Sequence, residues 1–216
     1  MTERFSPTAR TRPNRLRKRV RDEVPTVHAI LDGGPICHVG FAGPDGPSVL
    51  PTLHARIEDQ LYLHGSTGSW MRRVENTPIC VTVTCLDGLV LARSTFHHSM
   101  NYRCAVVFGT PRTVTDDDEK LAALDALVER VSPGRSAEAR GPNPRELAAT
   151  LVLALTIDEA TAKIRTGGPN DDDEDLGLDV WAGVVPVRTV LGDPEPDGTP
   201  PRALPDGALA PAWVTA

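Results

Sequence analysis

The sequence predicts a mainly β protein with inserted helices, folded as a closed or nearly closed antiparallel barrel with its helices at the periphery. Three observations predict it. Six or more short runs rich in β-branched and aliphatic residues recur along the chain. They are separated by turn residues, and 18 Gly and 20 Pro among 216 residues favour turns over a long-helix bundle. The helical stretches fall between groups of strands and do not follow each strand, which argues against a βαβ nucleotide fold.

Residues 1–22 are polar, Arg-rich and broken by Pro7 and Pro13, and read as a basic arm. Residues 24–31 (VPTVHAIL) form a helical turn leading into Asp32-Gly33-Gly34. The next three strands are 35–42 (PICHVGFA), 48–57 (SVLPTLHARI) and 60–64 (QLYLH). GPDG joins the first two and Glu58-Asp59 the second two, an antiparallel meander. GSTG at 65–68 breaks the third strand, and SWMRRVE at 69–75 starts a helix that Asn76-Thr77-Pro78 stops. Residues 79–86 (ICVTVTCL) are a strand, Asp87-Gly88 a turn, and 89–94 (LVLARS) the returning strand. Residues 102–114 are a further strand, weakened at Gly109 and Pro111.

Residues 116–131 are a helix. Acidic residues open it where the dipole favours them, and Leu121, Leu124, Leu127, Val128 and Val131 make its apolar face. Asn143 caps a second short helix with Pro144 at its first position. Residues 151–164 are a strand interrupted near Asp158-Glu159, and 180–191 a last strand irregular at Pro186. Three regions result: an arm (1–22), a barrel domain (23–191) and a loosely ordered Pro/Gly-rich tail (192–216).

Charge sharpens this division. The net charge is −6, yet residues 1–21 carry seven Arg and Lys18 against Glu3, about +7, leaving about −13 on the remainder. Phosphate contact through the arm is one reading; ordering against the body or a partner subunit is the other, and no aromatic platform supports the first. No run reaches the ~18 apolar residues of a membrane span, and no apolar core follows the basic N-terminus. A soluble cytoplasmic protein is expected, with Cys37, Cys80, Cys85 and Cys104 as reduced packing residues. No CxxC pair supports a zinc site. No GxSxG supports a serine hydrolase.

Two segments can carry chemistry. In LYLHGSTGSWMRR (61–73) a strand runs through a Gly/Ser/Thr turn into a helix start followed by two Arg. Hydroxyls of Ser66, Thr67 and Ser69, amides at a helix start and the charge of Arg72 and Arg73 suit a phosphate group. A polar turn that only caps a helix is the alternative. It is neither a Walker loop nor GxGxxG. In RSTFHHSMNYR (93–103) two His, two Ser, Asn, Tyr and two Arg crowd a barrel rim, which suits the edge of a planar polar heterocycle. His97 and His98 on a strand would point to opposite faces and make poor joint metal ligands. Trp181 reads either as a core anchor or as a ring at a cofactor edge.

Taken together, LYLHGSTGSWMRRVENTP, LDGLVLARSTFHHSMNYRCAVVFGTPR, IDEATAKIRTGG and VWAGVVP resemble the pyridoxamine 5′-phosphate oxidase-like FMN-binding split-barrel family, over about residues 24–191. The branch they resemble is that of flavin-nucleotide-binding members related to nitroimidazole-resistance proteins. The resemblance implies a six-stranded antiparallel split barrel forming a homodimer, with FMN at the subunit interface. It implies a phosphate site at His64, Gly65, Ser66, Thr67, Gly68, Ser69 and Arg72, and an isoalloxazine passed by Pro51 and Thr52. It further implies contributions from Ser99, Asn101, Tyr102 and Arg103, and from Trp181 of the partner subunit. Gly68-Ser69 stands where pyridoxamine phosphate oxidases carry Arg-Lys, and their C-terminal Arg-rich motif is not evident. The resemblance therefore implies an FMN-dependent oxidoreductase acting on a small molecule, with no catalytic side chain assigned. A flavin-storage protein and a haem or deazaflavin binder on the same barrel are the alternatives.

Overall fold

The structure is a computed structural model and describes residues 2–13, 15–198, 204, 208 and 210–214. Its elements in chain order are β1 (Val20–Arg21), α1 (Val24–Gly33), β2 (Ile36–Gly43), β3 (Gly46–Ile57), β4 (Gln60–Ser66), β5 (Ile79–Leu91), β6 (Ser99–Gly109) and β7 (Arg112–Thr113), then α2 (Asp117–Val131), α3 (Arg135–Glu138), α4 (Pro144–Ala149), β8 (Thr150–Thr156), β9 (Glu159–Arg165) and β10 (Gly183–Pro186). Among the described residues this is a mainly β chain with a few helices, as its patterning predicts.

The strands run β1-β9-β6-β5-β2-β3-β4-β8-β7, with β10 added on β5, and every pair is antiparallel. The expected meander is present. Gly43 pairs with Gly46 across Pro44-Asp45, with Gly46 at φ +109°, a conformation that favours glycine. Ile57 pairs with Gln60 across Glu58-Asp59, with Glu58 left-handed at φ +51°. The sheet curls at β3, whose residues 46–53 pair with β2 and 54–57 with β4. One interior core results, with side chains from β2, β4, β5, β6, β8 and β9.

α1 plugs this interior. Val27, Ile30 and Leu31, spaced along one helical face, are buried in the core. Full burial of an Ile or Leu stabilises by about 1.5–3 kcal/mol. β8 is buried on both faces: Leu151, Leu153 and Leu155 face the interior, whereas Val152 and Ala154 join Tyr62, Val114 and Ala123 in a second cluster outside the barrel. That second cluster seats α2, whose cap Asp116 accepts a 2.8 Å bond from the Glu119 amide.

Four expectations are corrected. The described residues hold seven strands of seven residues or more and three shorter ones, against the six expected. Asp87-Gly88 is no turn: β5 runs through it as one strand with a bulge between Leu86 and Gly88. Its edge partner there is β10, about a hundred residues downstream, and a Cβ on Gly88 would lie 3.0 Å from Val184 Cγ1 and 3.2 Å from the Val185 oxygen. That glycine serves a close approach. Residues 70–73 form a 3-10 turn and not an α-helix: the Arg72 and Val74 amides bond three residues back, to the Ser69 carbonyl at 3.3 Å and the Met71 carbonyl at 3.2 Å. His97 ends another 3-10 turn and His98 follows it, so neither lies on a strand.

The arm is docked. Arg4 pairs with Asp22 and Glu23 at 2.7 Å, Phe5 is buried, and Arg10 stacks over Phe108 while bonding Glu159. Of the tail, residues 199–203, 205–207, 209 and 215–216 lie outside the described residues. Trp213 Nε1 donates to the Arg130 carbonyl at 2.7 Å, and Ser132 Oγ donates to the Ala208 carbonyl at 3.0 Å. No helix among the described residues is long and apolar enough to cross a membrane.

Candidate functional site

The Gly/Ser/Thr turn leaves the end of β4. Ser66 pairs with Thr150 of β8, and the Thr67 amide donates to the Ala149 carbonyl at 3.0 Å. The Ser69 amide donates to the Ser66 carbonyl at 2.9 Å. Two of the amides expected to face an anion are thus satisfied within the chain. The Gly68 amide makes no bond among the described residues, and a Cβ at Gly68 would meet open space. Ser66, Thr67, Gly68, Arg72 and Arg73 are exposed. Neither Arg72 nor Arg73 has an ion-pair partner among the described residues. Two hydroxyls, one open amide and two guanidiniums without an ion pair among the described residues are therefore exposed within residues 66–73, a set that suits an anion.

Ser69 and Gly65 play a different part. Ser69 Oγ is buried without a hydrogen-bond partner. A Cβ on Gly65 would lie 2.7 Å from that oxygen and 3.1 Å from Met71 Sδ. Gly65 thus lets the turn fold back over β4. Pro51 is exposed on β3 opposite His38 of β2, while Thr52 points to the other face beside buried Cys37 and donates its hydroxyl to the Leu53 carbonyl at 3.3 Å.

The second polar cluster lies at the start of β6, and much of it is committed. Arg103 donates two parallel bonds to Asp87 at 2.9 and 2.8 Å, which raises its pKa further. Asn101 donates to the Gly167 carbonyl at 3.1 Å and accepts from Arg165, a residue that sequence patterning did not single out. Arg165 is buried and also donates to the Gly168 carbonyl at 3.0 Å. His97 Nε2 lies 3.0 Å from Asp172, and His98 Nδ1–H donates to the Ser94 carbonyl at 2.9 Å. Ser99 and Tyr102 are half-buried at this rim.

The turn and the cluster stand on strands four positions apart in the sheet. β5, β2 and β3 lie between β6 and β4, a separation of roughly 19 Å along the sheet at about 4.8 Å per strand. The cluster end also carries an apolar surface. Val185, Leu89 and Met100 stand side by side across β10, β5 and β6, all exposed. Phe96 is 88% and Trp181 64% exposed, so Trp181 is not a core anchor. A Cβ on Gly183 would lie 2.9 Å from the Trp181 ring.

A cavity of about 580 Å³ opens between the outer face of β3 and β4 and the α2–α4 segment. Its size is that of a cofactor pocket. Leu53, Leu124, Leu127, Val128 and Val131 line it, with His64 on its wall. Four of the five residues of the apolar face expected on α2 therefore line this space, and Val131 at its end is 56% exposed. His64 Nδ1 is buried without a partner, and burial lowers the His64 pKa. Arg135 and Arg140 also line the cavity, paired with Glu138 at 3.0 Å and Glu146 at 2.8 Å. The leucine spacing of α2 was the sequence signal for this wall; nothing in sequence pointed to a hollow beside it. The described residues hold no group of three or more metal-ligating side chains.

Residues 23–164 match the family model described as pyridoxamine 5′-phosphate oxidase. Among curated proteins, none matches the chain. Two solved structures resemble nearly the whole fold. A flavocytochrome of Azotobacter vinelandii is 38% identical with a TM-score of 0.89, covering 95% of this chain and 97% of its own. An FAD- and haem-binding protein of Mycobacterium smegmatis is 42% identical with a TM-score of 0.82, covering 88% of this chain and 95% of its own. A candidate 5-nitroimidazole antibiotic resistance protein of Bacteroides thetaiotaomicron shares the fold at 23% identity and a TM-score of 0.54, over 67% of this chain and 86% of its own.

Proposed function

Because the chain belongs to the pyridoxamine 5′-phosphate oxidase family, we propose that it is a flavin-binding redox protein whose flavin phosphate sits on the turn after β4. The observation that carries this reading is the exposed set of Ser66, Thr67, the Gly68 amide and unpaired Arg72. The flavin, FMN or FAD, supplies hydride and electron transfer when bound. Both share the phosphate that the turn would hold. FMN is the sequence expectation; the resemblance to an FAD- and haem-binding protein favours FAD. Pro51 would border the ring, and Ser66, Thr67 and Arg72 would orient it through the phosphate.

The site is completed by a second copy of the chain in this reading. The turn and the Ser99–Arg103 rim lie four strand positions apart along the sheet, which favours a rim supplied by the second copy. The exposed row of Val185, Leu89 and Met100, with Phe96 and Trp181, is the surface that a homodimer would cover.

A flavocytochrome, with haem beside the flavin, is the second reading. It is favoured by the two relatives at 38% and 42% identity, described as a flavocytochrome and as an FAD- and haem-binding protein.

The visible spectrum of the purified protein, before and after titration with FMN and with FAD, tests the proposal. Flavin absorption that saturates at one equivalent per chain is expected. A colourless protein that takes up neither flavin overturns it.

A further inference from the structure

Resting on the flavocytochrome reading, we propose that the cavity between β3–β4 and α2–α4 is the haem site, with His64 as the axial ligand of the iron. The histidine inventory points to it. Of the six histidines, His28 faces Asp59 at 3.3 Å, His54 Nε2–H donates to the Leu31 carbonyl at 2.9 Å, and His97 and His98 are committed as described. Only His38 and His64 have no partner among the described residues. His38 stands exposed on β2 and is not among the residues lining this cavity. His64 stands on a cavity wall with a buried nitrogen unpaired.

The chemistry of the lining agrees. A buried imidazole nitrogen left unpaired destabilises the fold, and a bound group that engages the ring is one way to recover the loss. The aliphatic side chains of Leu53, Leu124, Leu127, Val128 and Val131 suit the faces of a porphyrin, and offer few donors to the polar edge of a flavin. Arg135 and Arg140 suit two propionates, to which they could turn from Glu138 and Glu146.

The position fits the flavin as well. Leu53 lies two residues beyond Pro51 on the same face of β3, and Ser66 lies two residues beyond His64 on the same face of β4. A haem in the cavity therefore adjoins a flavin held by the turn.

The test titrates hemin into the full-length chain, following the Soret band, with flavin uptake measured on the same samples. The wild type is expected to bind one equivalent of hemin with an imidazole-ligated spectrum. His64→Ala should weaken hemin at least tenfold or lose that spectrum, and added imidazole should restore it. Val128→Trp, at a partly exposed position, should narrow the cavity and weaken hemin at least tenfold. Flavin affinity should stay within twofold in Val128→Trp, and His38→Ala should bind hemin as the wild type does. An unchanged His64→Ala spectrum, hemin loss in His38→Ala, or undiminished hemin uptake in Val128→Trp overturns the assignment and leaves the flavocytochrome reading standing. A wild type that binds flavin but no hemin overturns that reading, and the assignment with it.

Discussion

Arg103 and Asp87 form a two-pronged ion pair, 2.9 and 2.8 Å, that bridges β6 to the bulge of β5. The arginine most suggestive of ligand binding at this rim is thereby neutralised inside the fold. Arg72, by contrast, is exposed and has no ion-pair partner among the described residues, close in sequence to the hydroxyl turn.

Arg72→Ala is therefore expected to weaken flavin by about tenfold, the loss of one charge-assisted bond. Arg103→Ala should change flavin affinity less and instead cost roughly 1 kcal/mol of stability, since the pair is about a third exposed. Fluorescence titration and urea unfolding of both variants separate the two effects.

Ser66→Ala combined with Thr67→Ala should weaken flavin by about 2–4 kcal/mol if both hydroxyls bond the phosphate. Unchanged affinity in calorimetry would move the phosphate elsewhere.

Gly65→Ala should destabilise by roughly 1–3 kcal/mol, because its Cβ would collide with Ser69 Oγ. Ser69→Ala alone removes a buried, unpartnered hydroxyl and should be neutral or stabilising. The double variant should recover part of the loss, as measured by thermal unfolding.

His54 is buried, and desolvation lowers its pKa to about 4 from an ordinary 6.5. The unfolded state then binds more protons between those values, so stability is full above about 6.5 and is lost as pH falls towards 4. From pH 7 to pH 5 the loss is roughly 2 kcal/mol from this group. His28 and His64 act in the same direction. Urea unfolding across this range should show the decline, and His54→Gln should flatten most of it.

Met100→Asp or Leu89→Lys places a charge in the exposed apolar row and should shift a homodimer to monomer in light scattering. Flavin affinity should fall with it, because one flavin would need both copies.

Local sequence determined the meander of β2, β3 and β4, since Pro44-Asp45-Gly46 and Glu58-Asp59 close two-residue turns whose geometry lies within a few residues. It determined α2 through the Asp116 cap and leucine spacing, and it marked the hydroxyl turn with Arg72 nearby. Tertiary structure decided what depends on distant segments. Gly88 became a bulge because β10 supplied its edge partner, and Asn101 was committed by Arg165, 64 residues away. The space beside His64 exists because α2 seats on Tyr62, Val152 and Ala154, leaving Val128 and Val131 over a hollow. Turns and caps are satisfied by neighbours in sequence, whereas a cavity is bounded by side chains that only the fold brings to face one another.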